Sequence, residues 1–164
     1  MTEKTKSLIK KYPFLAWYGN PLYSGYNEET ITSNYTWEDE LPEGWRKAFC
    51  PQIWDELKAI LEKANYINEF RFAQIKEKYG TLRLYHNGVP KSIYEEVSAW
   101  ESKYEGLSEQ VCIHCGKQAK YMTPGWISFI CEDCLKEYQG RVVPVEDIDV
   151  FYEDPETYWK NKNN

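Results

Sequence analysis

The chain has 164 residues, about one domain's worth at roughly 100–200 residues per domain, which excludes two large domains and leaves one core with a small appendage. Leu, Ile, Val and Phe make up 34 of the 164 residues, just above the roughly 20% level below which chains stay disordered, so the 14 Tyr and 7 Trp must supply much of the buried surface. The net charge of −6 argues against direct nucleic-acid binding by the chain as a whole, because neutralising phosphates needs clustered Lys and Arg.

Residues 3–11 read as a short helix carrying Leu8 and Ile9 and stopped by Pro13. This N-terminus has lysines and no apolar run of signal-peptide length, so no leader and no membrane span are expected, and the expected location is the cytoplasm of a bacterial host cell. From Tyr12 to Trp45 the periodicity disappears: Trp17, Tyr18, Tyr23, Tyr26, Tyr35, Trp37 and Trp45 are scattered among Gly, Asn and Pro. We read a long irregular segment packed down by its rings, some of which are alternatively exposed as anchors for a protein partner.

Pro51 opens a helix in which Ile53, Trp54, Leu57, Ile60 and Leu61 form one apolar face, ending near Asn65. Residues 70–86 alternate with period two around Gly80, a hairpin signature, with Phe70 and Phe72 on one face of the first strand and Leu82, Leu84 and His86 on one face of the second. After an Asn87-Gly88 turn, Ser92 and Glu95 are spaced as a capping box for a second helix, along which Ile93, Val97, Trp100, Tyr104 and Leu107 recur. Trp54, Leu57, Leu61, Trp100, Tyr104 and Leu107 are therefore expected in the core. The fold class is α+β, with two amphipathic helices flanking a small antiparallel sheet and a zinc-ribbon-like four-cysteine module behind them. The chain divides into a core domain at 1–110, a ribbon at 111–140 and an acidic segment at 141–164.

Cys112-x-x-Cys115 and Cys131-x-x-Cys134 are separated by 15 residues that read as a hairpin about Pro124-Gly125. Two such pairs complete a tetrahedral sulfur shell, so Cys112, Cys115, Cys131 and Cys134 are the expected ligands of one structural Zn²⁺. A disulfide pairing would require an oxidising compartment, and an iron cluster usually has another spacing. His114 lies inside the first pair and is read as a non-ligand, and the unpaired Cys50 as an inert thiol. A closed four-thiolate shell leaves no open coordination position, and the chain carries no phosphate-binding glycine loop, metalloprotease helix motif or nucleophile elbow, so no catalytic residues are assigned and no enzyme is expected.

Six carboxylates fall between Val145 and Glu156 with no Lys or Arg among them. They alternate with large apolar residues, which nominates Asp147, Asp149, Phe151, Tyr152 and Asp154 as a partner-binding surface for a basic groove on another protein. The competing reading is that the apolar residues dock on the chain's own core and leave the acids solvated. Arg71, Lys76, Lys78 and Arg83 make the hairpin locally basic, and Glu69 and Glu77 dilute them.

Ile75-Lys-Glu-Lys-Tyr-Gly-Thr-Leu-Arg-Leu-Tyr85, a following helix, Cys112-x-x-Cys115-Gly116, Gly125-Trp126 and Cys131-x-x-Cys134 occur here in that order. Over about residues 44–135 this order resembles a family of small phage and prophage proteins. Many of them end the second metal pair with His where this chain has Cys134, a difference that preserves zinc binding. The resemblance implies a phage or mobile-element context and no particular mechanism. The expected function is a non-enzymatic, zinc-stabilised protein acting on a bacterial host protein, itself of a nucleic-acid-binding kind, as an inhibitor of host antiviral defence in the manner of an anti-CRISPR. The alternative is a nucleic-acid-associated accessory protein using the ribbon and the basic hairpin face.

Overall fold

The structure, a computed structural model, describes residues 1–17 and 34–162. Tyr18, Tyr23 and Tyr26 of the aromatic stretch lie outside the described residues. The fold is α+β, as expected. Helix α1 (Glu3–Lys11) starts where the Thr2 hydroxyl accepts the Thr5 amide at 3.2 Å, and it carries Glu3 in its first turn and Lys10 and Lys11 in its last, the arrangement the helix dipole favours. Pro13 then opens a 3-10 turn that buries Phe14 and Leu15 completely. Within the aromatic stretch, Trp17 meets Trp37 with ring centroids 4.5 Å apart, while Trp37 and Trp45 are buried and Tyr35 is exposed.

Part of the segment read as irregular is helical. Helix α2 (Glu43–Phe49) follows Pro42 and buries Trp45 and Phe49, one turn apart. Seven residues are too few to display a helical period in the sequence. Helix α3 (Gln52–Lys63) buries Ile53, Trp54, Leu57 and Leu61 and leaves Ile60 half-buried. The indole N–H of Trp54 donates to Glu38 at 2.8 Å, so this buried ring also has its polar edge satisfied.

Strands β1 (Phe72–Lys78) and β2 (Thr81–His86) form the antiparallel hairpin. A register shift between Phe72 and Gln74 inserts a bulge, which is why Phe72 and Ile75, three residues apart, are both buried. Phe14, Trp54, Phe70 and Phe72 meet in tilted and edge-on geometries with centroids 5.1–6.3 Å apart, the centre of the main core.

Helix α4 (Tyr94–Ser108) is preceded by a 3-10 turn at Lys91–Ile93 and has no side-chain cap. The capping box expected of Ser92 and Glu95 does not form, because the 3-10 turn moves the helix start past Ser92. The helix runs along β2: the Ser108 hydroxyl accepts the Leu82 amide at 2.9 Å, Glu105 pairs with Arg83, and Glu101 meets His86 at 3.2 Å. Covering that strand with a helix removes an exposed sheet edge. On its other side the Trp100 indole donates to the Ile53 carbonyl at 2.9 Å and ties α4 to α3. Of the six expected core residues, Leu107 alone is half-buried, and the other five are buried.

After α4 comes the ribbon. Strands β3 (Tyr121–Thr123) and β4 (Ser128–Ile130) pair across the Pro124-Gly125 turn, where Gly125 has φ +86°, and α5 (Glu132–Leu135) follows. The segment beyond residue 140 does not stand apart. Strand β5 (Val143–Pro144) pairs with the other side of β3, giving the order β4-β3-β5. Helices α6 (Ile148–Glu153) and α7 (Pro155–Lys162) then fold back so that Phe151 and Tyr158 join Ala119, Met122, Phe129 and Val143 in a second, smaller core.

Two glycines seat the ribbon on the main core. A Cβ on Gly44 in α2 would fall 2.0 Å from the Cys112 carbonyl oxygen, and the Gly44 amide donates to the Ile113 carbonyl at 2.9 Å. At the hairpin tip, a Cβ on Gly80 would approach the side chains of Ile127 and Phe129 to 2.9 and 3.0 Å.

Candidate metal centre

Each cysteine pair is shaped by its local backbone. In the first, the Cys112 amide donates to the Lys117 carbonyl at 2.7 Å and the Gly116 amide donates to the Cys112 carbonyl at 3.0 Å, with Gly116 at φ +83°, a turn that suits glycine. In the second, the Cys131 sulfur caps α5 by accepting the Cys134 amide at 3.5 Å. The ladder between β3 and β4, continued by the Lys120 amide to the Ile130 carbonyl and the Ile113 amide to the Phe129 carbonyl, brings the two turns face to face.

All four sulfurs lie within 4.8 Å of one another, and Cys115 Sγ is 3.5 Å from Cys131 Sγ. A disulfide would hold two sulfurs at about 2.0 Å, and all four cysteines are free. Tetrahedral thiolate coordination at about 2.3 Å places ligand sulfurs about 3.8 Å apart, so the cluster has the size to hold one metal ion. Cys112 and Cys131 are buried, and Cys115 and Cys134 are half-buried. Burial pushes the Cys131 thiol up, but the Cys134 amide and hydrogen bonds from the other cysteines outweigh it and lower it to about 7. Burial and hydrogen bonds with Cys112, Cys115 and Cys131 hold Cys134 far above the ordinary thiol range. Lys117 pairs with Asp133 at 2.6 Å beside the cluster, and its charge acts on Cys115 and Cys131.

His114 is exposed and outside the sulfur cluster. Cys50 sits apart, between α2 and α3, where burial and then Glu38 push its thiol well above the ordinary range, the opposite of what a nucleophile needs.

The carboxylates nominated for a partner prove unequal. Asp147 accepts the Tyr158 hydroxyl at 2.8 Å and pairs with Lys162 at 3.0 Å. Asp154 accepts the Thr157 amide at 3.1 Å at the start of α7. Asp147 therefore ties the start of α6 to α7, and Asp154 caps α7. Phe151 is 7% exposed and packs inward, so the anchor expected there is taken up by the second core, while Tyr152 stays 54% exposed. Asp149 and its neighbours Glu146 and Glu153 are exposed and form no ion pair among the described residues.

The basic hairpin face is also partly spent internally. Arg83 is paired with Glu105, and the Arg71 guanidinium donates to the carbonyls of Asn68 and Phe70 at 2.5 and 2.8 Å. Lys76 and Lys78 lie over the Tyr85 and Tyr79 rings at 5.3 and 5.4 Å.

Reasoning from the sequence overlooked two surface rings, Tyr79 and Trp126, which are 69% and 84% exposed. Each sits in a turn next to a glycine, where a side chain has little core to enter, and that placement was the available signal. No helix of the described residues is long and apolar enough to cross a membrane. Compared with family models, curated proteins and solved structures, the chain matches none.

Proposed function

We propose that this chain is a non-enzymatic binding protein, held in shape by one Zn²⁺ on Cys112, Cys115, Cys131 and Cys134, that engages a protein partner through an acidic surface on α6 and the turn before it. The observation that carries this reading is the convergence of four sulfurs and no other ligand type, since four thiolates close a tetrahedral shell and leave no position for water or substrate. Zinc fits a four-sulfur tetrahedral set better than harder cations, which prefer oxygen. The exposed carboxylates Glu146, Asp149 and Glu153, unpaired among the described residues, beside the exposed Val150 and Tyr152 favour a partner with a basic groove. The resemblance of the hairpin and metal motifs to phage and prophage proteins supports a bacterial host protein in that role, with inhibition of host defence as the outcome.

The test uses the zinc-loaded protein immobilised in a host extract, beside a variant with Glu146, Asp149 and Glu153 changed to lysine. Asp147 and Asp154 are left in place because the first ties α6 to α7 and the second caps α7. The expected result is a captured basic protein whose association slows in the variant and with rising salt, at unchanged zinc content. Zinc well below one ion per chain, or a partner indifferent to the reversal, overturns the reading.

A further inference from the structure

The turn between β1 and β2 contains a residue that is unfavourable where it stands. Tyr79 and Gly80 have φ of +54° and +77°, the left-handed pair that a two-residue type I′ turn requires and that Asn-Gly ordinarily supplies. A bulky residue at positive φ costs stability. Inside the chain the ring has the Lys78 ammonium over it at 5.4 Å and is still 69% exposed. The neighbouring turn between β3 and β4 likewise exposes Trp126, at 84%.

These two rings border a cleft of about 280 Å³ floored by Gly125 and Ile127. Tyr79 and Ile127 also line a second cleft of about 320 Å³, whose apolar floor includes Met122 and Phe129 and whose far wall is Tyr152. The two clefts thus form one stripe running from Trp126 across Tyr79 to Tyr152 on α6. Its charged lining is Glu77 and Lys78 in the first cleft and Glu109 in the second, and the exposed carboxylates Glu146, Asp149 and Glu153 each directly follow a lining residue of the second cleft, Val145, Ile148 and Tyr152.

We infer that this stripe is a docking groove for a cationic amphipathic segment of a partner protein, its apolar side chains entering the two clefts and its Lys and Arg meeting Glu109, Glu146, Asp149 and Glu153. The inference rests on the acidic protein-binding reading and specifies which part of the surface does the binding and what it takes. Exposed aromatic anchors in pockets carry most of the affinity of such interfaces, and surrounding carboxylates set the sign of partner accepted.

The probe is a fluorescein-labelled Leu/Lys amphipathic peptide of about four helical turns, followed by anisotropy with the full-length zinc protein. Three controls accompany it: the same peptide with Glu for Lys, polylysine of equal length, and an oligothymidylate. Tyr79→Asn removes the ring while suiting the left-handed turn, so its melting temperature should stay level or rise. Together with Trp126→Ser it should weaken the Leu/Lys peptide about tenfold or more per ring. Unchanged affinity in both variants, or equal binding of polylysine, the Glu peptide or the oligothymidylate, overturns the inference. An effect of reversing Glu146, Asp149 and Glu153 without an effect of ring removal overturns the groove and leaves the acidic reading standing, whereas indifference to the reversal overturns both.

Discussion

Cys131 has two roles in one sulfur: it belongs to the four-sulfur cluster and it caps α5. Cys131→Ser should therefore abolish stoichiometric zinc and loosen the C-terminal third, because structural zinc contributes roughly 10–16 kcal/mol in peptides at neutral pH. Cys50→Ser should leave metal content at one per chain, since Cys50 lies outside the cluster. Metal analysis of the two purified variants checks both. Equal zinc loss in the two would show that the ligand set is wrong. The spacing of the four cysteines made this site legible in the sequence. The divided roles of the acidic residues were not: Asp147 meets Tyr158, 11 residues on, only once α6 and α7 have folded back, while Asp154 caps α7 through the amide of Thr157, three residues on.

Among the elements, α4 is held at both sides, by Trp100 against α3 and by Ser108 against β2. Trp100→Ala removes a buried ring and one of the donors to the Ile53 carbonyl, a loss of about 3–5 kcal/mol. Thermal melting close to wild type would contradict this placement. The α6–α7 pair has its own pH signature. The Tyr158 hydroxyl and then Lys162 hold the Asp147 carboxyl below its ordinary value of 3.8. A carboxyl depressed on folding stabilises the fold above its unfolded value and ceases to do so as pH falls through its folded one. Asp147→Asn should thus lose less melting temperature than wild type between about pH 5 and pH 3. An identical acid dependence in the two proteins would rule Asp147 out. The elements with a clear repeat, α3, the hairpin and α4, were legible from spacing. Helix α2 was too short to show one, and the bulge at Phe72 broke the alternation that identified β1. Strand β5 escaped notice because two residues gain strand character only through their pairing with β3.

For the whole molecule, the decisive contacts are those that no local pattern announces. Gly44 lies 68 positions before Cys112 in the sequence, yet their backbones touch. Gly44→Ala must push the first metal turn off α2, and overpacking of this kind costs about 1–3 kcal/mol. Its melting temperature should fall in the zinc form, and zinc should dissociate faster to a chelator than from wild type. A variant that melts and releases zinc like wild type would show that the ribbon is seated elsewhere.

The seat of Gly80 against Ile127 and Phe129 bears on how fast and how cheaply the surface can be used. Because the hairpin tip is pressed onto the ribbon, the rings of Tyr79 and Trp126 sit on backbones whose relative position is settled before any partner arrives. The ordering cost of bringing two turns together is incurred during folding and not at encounter. Association at this surface should then be a single-step event, with a rate set by diffusion and charge and with no slow isomerisation after contact.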